Sequence, residues 1–249
     1  MTDPKHTLLP LLPTTSALTF GTYKLKSSRV SPYFFNSSLL YTASLHHAVC
    51  SAYASVLSAP PFVTQSEYPT AVVPTYDILF GPAYKGIILA GSILPLLLQT
   101  TTTTTANTTN PNPNPFSSIS YAYNRKEPKP HGEGGNLVGC PVKGRRVLIV
   151  DDVITAGTAV REAVKLIRAE GGIVVGVVVL LDRQERVSDS EPRSALGVAA
   201  EELEVPVKAV FQFSDLIEAV ERGEMEGAGE EELRRLEEYR ERYRSVDRT

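Results

Sequence analysis

The stretch Arg146-Val-Leu-Ile-Val-Asp-Asp-Val-Ile-Thr-Ala-Gly-Thr158 decides the fold. Its apolar run at 147–150 is aliphatic and largely β-branched, the pattern of a parallel strand buried on both faces. Asp151 and Asp152 follow at once, so they fall in the crevice beyond the carboxyl end of a strand, where open α/β sheets bind ligands. Thr155-Ala-Gly-Thr158 then supplies two hydroxyls, small side chains and a glycine that lets backbone approach a ligand closely. Ala159, Val160, Ala163, Val164 and Ile167 continue at helical spacing, with Gly171-Gly172 as the stop. A helix N-terminus, with unpaired amides and the positive end of its dipole, therefore points into the same turn and favours a phosphate monoester.

Two adjacent aspartates are poor neighbours for a bare phosphate, because like charges repel and shift each other's pKa values. A ribose resolves the conflict: carboxylates accept hydrogen bonds from the 2′,3′-diol while loop amides hold the 5′-phosphate. The run resembles the phosphoribosyl-pyrophosphate (PRPP) motif of type I phosphoribosyltransferases. That resemblance implies an α/β fold with a central, mostly parallel sheet flanked by helices and a small N-terminal hood. It also implies that Asp151, Asp152, Val153, Ile154, Thr155, Ala156, Gly157, Thr158 and Ala159 hold ribose 5-phosphate. The acidic pocket of a receiver domain is the competing reading, and the Thr-Ala-Gly-Thr turn argues against it.

With 249 residues, one α/β domain spanning 1–249 with appendages is a sufficient account, and a formal net charge of -3 argues against general nucleic-acid binding. Cys50 and Cys140 lie far apart without a secretory signal, so they read as free thiols of a reducing compartment. The leucines of residues 1–13 are broken by Pro10 and Pro13, and the apolar stretch 86–98 is too short to span a bilayer. A cytoplasmic protein without a membrane segment is expected.

Residues 20–26 and 31–36 read as two short strands around a Ser27-Ser28-Arg29 turn, within an N-terminal hood of about 1–60. Lys26, Phe34 and Phe35 could cover a flat heterocycle and approach its anionic group, although adjacent phenylalanines are often simply core. Residues 39–57 read as a helix in which His46 and His47, lacking metal-ligand spacing, are structural. A strand at 76–80 leads into Gly81-Pro-Ala-Tyr-Lys-Gly86, whose Lys85 and helix N-terminus favour anions. A helix follows to about Leu98, and the Thr/Asn/Pro-rich insertion at about 99–115 has no helical period and little to bury. A strand at 116–123 enters a polar loop that crowds Arg125, Lys126, Lys129 and His131 into seven positions. Such repelling cations suit a polyanionic ligand, and glycines at 132, 134 and 135 suit a lid. Beyond a strand at 173–181, Arg183 stands in Asp182-Arg-Gln-Glu-Arg186, able to take a carboxylate bidentately. A strand at 207–213, a short helix capped by Ser214 and a charged helix at about 230–245 end the chain. Pairs Glu230–Arg234 and Glu238–Arg242 are expected on that last helix.

The segment from Phe20 through Asn36, the Gly81 loop, the 123–139 loop and the Asp-Arg-Gln-Glu segment are together similar to orotate phosphoribosyltransferases, a narrower family. Ser28 departs from it where a glycine is usual, and the proline-broken start replaces a usual helix. The resemblance implies transfer of ribose 5-phosphate from PRPP to orotate. Lys26, Tyr84, Lys85, Arg125, Lys126, Lys129 and His131 would meet pyrophosphate, with Lys126, Lys129, His131, Asp151 and Asp152 as the catalytic set. Phe34, Phe35, Thr155 and Arg183 would hold orotate. It further implies Mg²⁺ carried mainly by PRPP rather than by direct protein ligands, and a homodimer whose lid loop serves the neighbouring site. A phosphoribosyltransferase for another base would lack the combined Phe34-Phe35 and Arg183 features, and a non-catalytic regulator could lose the lid cations.

Overall fold

The computed structural model describes residues 4–25, 27–66, 72–100, 114–127, 136–154 and 157–247. The chain starts with α1 (Pro4–Leu8) and two 3-10 turns, Leu9–Leu11 and Pro13–Thr15. The start is thus helical despite its prolines, because Pro10 and Pro13 sit in the first residues of their turns, where a missing N–H is harmless. Leu8, Leu9 and Leu12 are buried.

Strands β1 (Leu18–Lys24) and β2 (Val30–Phe35) pair antiparallel from Leu18 with Phe35 to Lys24 with Val30. Ser28 adopts the left-handed φ of 64° in their turn, which explains the glycine usual at this position. The helix expected over 39–57 divides: Ser37–Leu39 is a 3-10 turn, and α2 (Ala43–Leu57) begins where the Thr42 hydroxyl accepts from the Leu45 amide. A small ribbon, β3 (Val63–Gln65) with β4 (Val72–Pro74), precedes β5 (Ile78–Gly81) and α3 (Lys85–Leu97).

Next come β6 (Ser120–Asn124), β7 (Leu137–Gly139), β8 (Arg146–Val153), α4 (Thr158–Ala169), β9 (Ile173–Asp182), α5 (Ala195–Leu203) and β10 (Val207–Gln212). The strand expected from 116 begins only at Ser120, because Asn114 Oδ1 takes the Phe116 amide and Phe116 O takes the Ile119 amide, bending 116–119 into a turn. Two helices close the chain, α6 (Phe213–Glu221) and α7 (Glu230–Tyr243). Ser214 does not cap α6. Gln212 leaves β10 directly into the helix, its amide bonded to the Asp215 carboxylate, while the Ser214 amide donates to Gln184 Oε1. On α7 the expected pairs are replaced by Arg234 bonding both Glu231 and Glu238, since one guanidinium reaches neighbours three back and four ahead. Leu236 and Tyr239 of α7 face inward.

The main sheet runs β10-β9-β8-β5-β6-β7, parallel except for the β6–β7 pair. Alternate residues of β8 enter opposite cores: Leu148 and Val150 join the layer of α2, α3, α6 and α7, while Val147 and Ile149 join that of α4 and α5. Burial of each such side chain is worth roughly 1.5–3 kcal/mol, so both layers fix the register. From β5 the chain crosses through α3 toward β6, and from β8 through α4 toward β9. The winding reverses between β5 and β8, and a crevice at such a switch point is where doubly wound sheets bind ligands.

Candidate active site

Two loops meet at that switch point. In the first, Gly81 and Gly86 let β5 turn into α3: a Cβ on Gly81 would collide with the Gly86 carbonyl, and one on Gly86 would lie 2.8 Å from Val150 O. The Ala83 amide donates to Asn124 Oδ1 (3.0 Å), which ties the loop to β6. Tyr84 is 68% exposed and Lys85 reaches across the crevice. Its ammonium lies 2.8 Å from Asp152 Oδ2 and 2.7 Å from Ser37 Oγ, while the Ser37 hydroxyl also donates to Asp152 Oδ2. Strand β8, the loop after β5 and the end of the hairpin segment are thereby joined through three side chains.

Asp151 points into the protein beside them. Its carboxylate accepts from the Asp152 amide (3.0 Å), and its carbonyl accepts from the buried Tyr53 hydroxyl (2.6 Å). Burial, and after it the charge of Asp152, pushes the Asp151 carboxyl up to about 7. Gly157 holds a left-handed φ of 72° at the N-cap of α4, so the turn after Asp152 ends in the helix N-terminus expected of a phosphate cradle. Val153 closes β8 and Ile154 is buried beside it, while Thr158 and Ala159 open α4. Thr155 and Ala156 lie outside the described residues.

The basic loop leaves the sheet beside Tyr84. Arg125 closes its neck, its amide donating to Asn136 O (2.7 Å), and the Lys126 ammonium stands 4.9 Å from the centre of the Tyr84 ring. Tyr84, Lys85, Lys126 and Asp152 are therefore brought together. Lys26, Lys129, His131 and the loop's glycines at 132, 134 and 135 lie outside the described residues, as does 101–113 of the insertion.

The other side is formed by the hairpin. Phe34 is 42% exposed, 5.5 Å from the Tyr23 ring, whereas Phe35 packs edge-on against Phe211 at 6.0 Å. One phenylalanine is thus available to a ligand and its neighbour anchors the strand. Arg183 lies under the same hairpin, its guanidinium 4.8 Å from the Tyr33 ring and Nη2 3.4 Å from Ser31 Oγ. In the turn that carries it, Gln184 has a φ of 52°, and its amide donates to Asp182 Oδ1 at 2.9 Å. Burial pushes the Asp182 carboxyl up to about 6. Residues 31 to 37 thus run from Arg183 at one end to Asp152 and Lys85 at the other, with Phe34 and Phe35 between.

Sequence reasoning did not find Ser37, Asn124 or Tyr53. Nothing local signals them, since each acts across 41 residues or more. His46 bonds Ser92 Oγ (2.9 Å) between α2 and α3, in keeping with a structural role, and Cys50 and Cys140 are free thiols. Among the described residues no helix is long and apolar enough to cross a membrane.

The phosphoribosyl transferase domain model matches residues 74–194, which hold both loops of the switch point. The chain is 54% identical over 243 residues to the orotate phosphoribosyltransferase of Coccidioides immitis, covering 97% of this chain and 96% of that one. The chain belongs to the orotate phosphoribosyltransferase family. The orotate phosphoribosyltransferase of Neurospora crassa is 44% identical over 236 residues, covering 92% of this chain and 91% of the relative. The crystal structure of the orotate phosphoribosyltransferase of Francisella tularensis superposes with a TM-score of 0.74 at 31% identity, covering 96% of this chain and all of that one. The α/β architecture expected from the 146–158 stretch, a mostly parallel sheet flanked by helices, is that of the family.

Proposed function

We propose that the crevice between β5 and β8 takes PRPP, and the hairpin side takes the base, in the reaction of an orotate phosphoribosyltransferase. Ribose 5-phosphate passes from PRPP to N1 of orotate, giving orotidine 5′-monophosphate and pyrophosphate, a step of pyrimidine biosynthesis. The observation that carries the division is the contact of Lys85 with Asp152 across the switch point, bonded to Ser37 of the segment that also bears Phe34 and Phe35.

As the C1–O bond breaks, its electron pair leaves with pyrophosphate, and positive charge spreads over C1 and O4 of the ribose while N1 of orotate closes on C1. Opposite charges grow in two places, and fixed groups aimed at each lower the barrier. Tyr84, Lys85, Arg125 and Lys126, with Lys26, Lys129 and His131, serve the leaving group; Lys126, Lys129 and His131 stabilise its growing charge. Asp151 and Asp152 hold the diol beneath the cationic sugar, and the loop from Val153 through Ala159 holds the 5′-phosphate. With its carboxyl raised to about 7, Asp151 keeps the free pair short of two full charges near neutral pH, and diol donors favour ionisation when PRPP enters. Phe34, Phe35 and Thr155 form the orotate side, Phe34 against the ring and Phe35 holding the strand that presents it, and Arg183 takes the carboxylate.

Among the described residues no group of three or more His, Cys, Asp or Glu gathers to hold a metal. The Asp151–Asp152 pair, with Asp152 already held by Lys85, fits a Mg²⁺ carried mainly by PRPP oxygens. When bound, that ion supplies charge neutralisation on the diphosphate. The family resemblance also supports a cytoplasmic homodimer in which the lid loop serves the partner's site.

The test is loss of orotate absorbance in the presence of PRPP and Mg²⁺, with uracil and adenine as controls. Orotate should be consumed and the controls left. Inert orotate beside turnover of another base would overturn the reading.

A further inference from the structure

Arg183 does not stand alone beneath the hairpin. Its Nε donates to Glu185 Oε1 at 2.8 Å, and the second oxygen of Glu185 lies 3.4 Å from Arg29 Nη1. Side-chain exposure is 26% for Arg183 and 13% for both Glu185 and Arg29, so the three charges interact with little solvent between them. Arg29 is fixed independently: Nη1 donates to Arg186 O at 2.8 Å, and its guanidinium lies 4.9 Å from the Tyr243 ring on α7. A carboxylate beside the arginine that reads an anionic base is at first sight misplaced. Arg183 and Glu185 alone sum to zero charge, and such a pair would attract an incoming carboxylate much less than an uncompensated arginine does. With Arg29 the sum is +1. Glu185 also occupies the Nε edge of the fork, and the 3.4 Å contact of Nη2 with Ser31 is long, so the Nη end is the part free to exchange its partner for a ligand.

We infer that Glu185 and Arg29 set specificity for the anionic base: Glu185 is a positioning residue that turns the Nη end of Arg183 toward the orotate carboxylate, and Arg29 is the counter-charge that keeps Glu185 from repelling it. The inference rests on the proposed role of Arg183. In the sequence Arg29 is only a turn residue and Glu185 only part of a charged run; their meeting across 156 residues gives them the role.

Arg29→Gln removes the counter-charge. It should raise the KM for orotate on the order of tenfold, leaving kcat and the KM for PRPP within about twofold. Adding Glu185→Gln removes the exposed repulsion and keeps an acceptor for Arg183 Nε, so the double variant should return to within about threefold of wild type. A purely structural role predicts no such rescue. A double variant no better than Arg29→Gln, or an Arg29→Gln that weakens both substrates alike, overturns the inference. If Arg29→Gln does not fold, Glu185→Gln alone decides: its orotate KM should match or fall below wild type, and a tenfold rise is fatal. Arg183→Ala separates the two layers of the claim. An unchanged orotate KM there sinks the reading of Arg183 and this inference together, whereas a raised one beside an unaffected Arg29→Gln sinks the inference only.

Discussion

On the side of the crevice proposed to take PRPP, strand end, aspartate pair and helix N-terminus lie within the thirteen consecutive residues 146–158, whereas on the side proposed to take the base Arg183 meets Ser31 across 152 residues and Glu185 meets Arg29 across 156. The first half is a local device. Its backbone geometry follows from a buried strand running into a helix, and any sheet with this turn would present the same amides and carboxylates. The second half exists only after the hairpin, the turn after β9 and α7 have packed together. Such an arrangement can be retuned by single substitutions far from one another, and this is the half to which the proposal gives the choice of base.

Replacing groups on either side should separate the halves. Lys126→Ala removes a cation whose proposed partner, the departing pyrophosphate, gains its charge mainly in the transition state. It should lower kcat on the order of a hundredfold while moving the KM for orotate less than about threefold. Unchanged turnover would remove Lys126 from the leaving-group side. Ser37→Ala removes the hydroxyl that bonds both Asp152 and Lys85, a loss of roughly 1 kcal/mol of hydrogen bonding, and should raise the KM for PRPP about fivefold. Were the orotate KM to move instead, Ser37 would belong to the base side.

The smallest effect is one of pH. Asp151 and Asp182 both have carboxyls raised above the 3.8 of a free side chain, to about 7 and about 6. Between those limits the folded chain holds more protons than the unfolded one, so their contribution makes stability fall as pH rises from about 4 to about 7, and level off above. Asp182→Asn should remove about half of the slope below about 6, and Asp151→Asn the other half together with the part extending to about 7. Denaturant unfolding across that range would show it; slopes identical to wild type in both variants would contradict the assignment.

The uneven legibility of the chain has the same cause. Unbroken apolar runs at 147–150 and 177–181 are buried on both faces of the sheet, so strand type and place could be read directly. Gly81, Gly86 and Gly157 likewise marked turns that the backbone needs. Helix ends were less visible: α6 starts at Phe213 because Asp215 reaches back to Gln212, and a serine one residue away looked the better cap. The hydroxyl of Ser37 carried no signal, since its partners at 85 and 152 are chosen by the packing of the hood on the sheet. Arg183 was visible as a residue, but its balanced charge environment was not.

The account is tested most directly by measuring KM for each substrate in Arg183→Ala and in the double variant Asp151→Asn/Asp152→Asn. The division predicts that Arg183→Ala raises the orotate KM at least about tenfold with the PRPP KM nearly unchanged, and that the double variant does the reverse. Variants that weaken both substrates equally, or an aspartate double variant with normal PRPP kinetics, would contradict it.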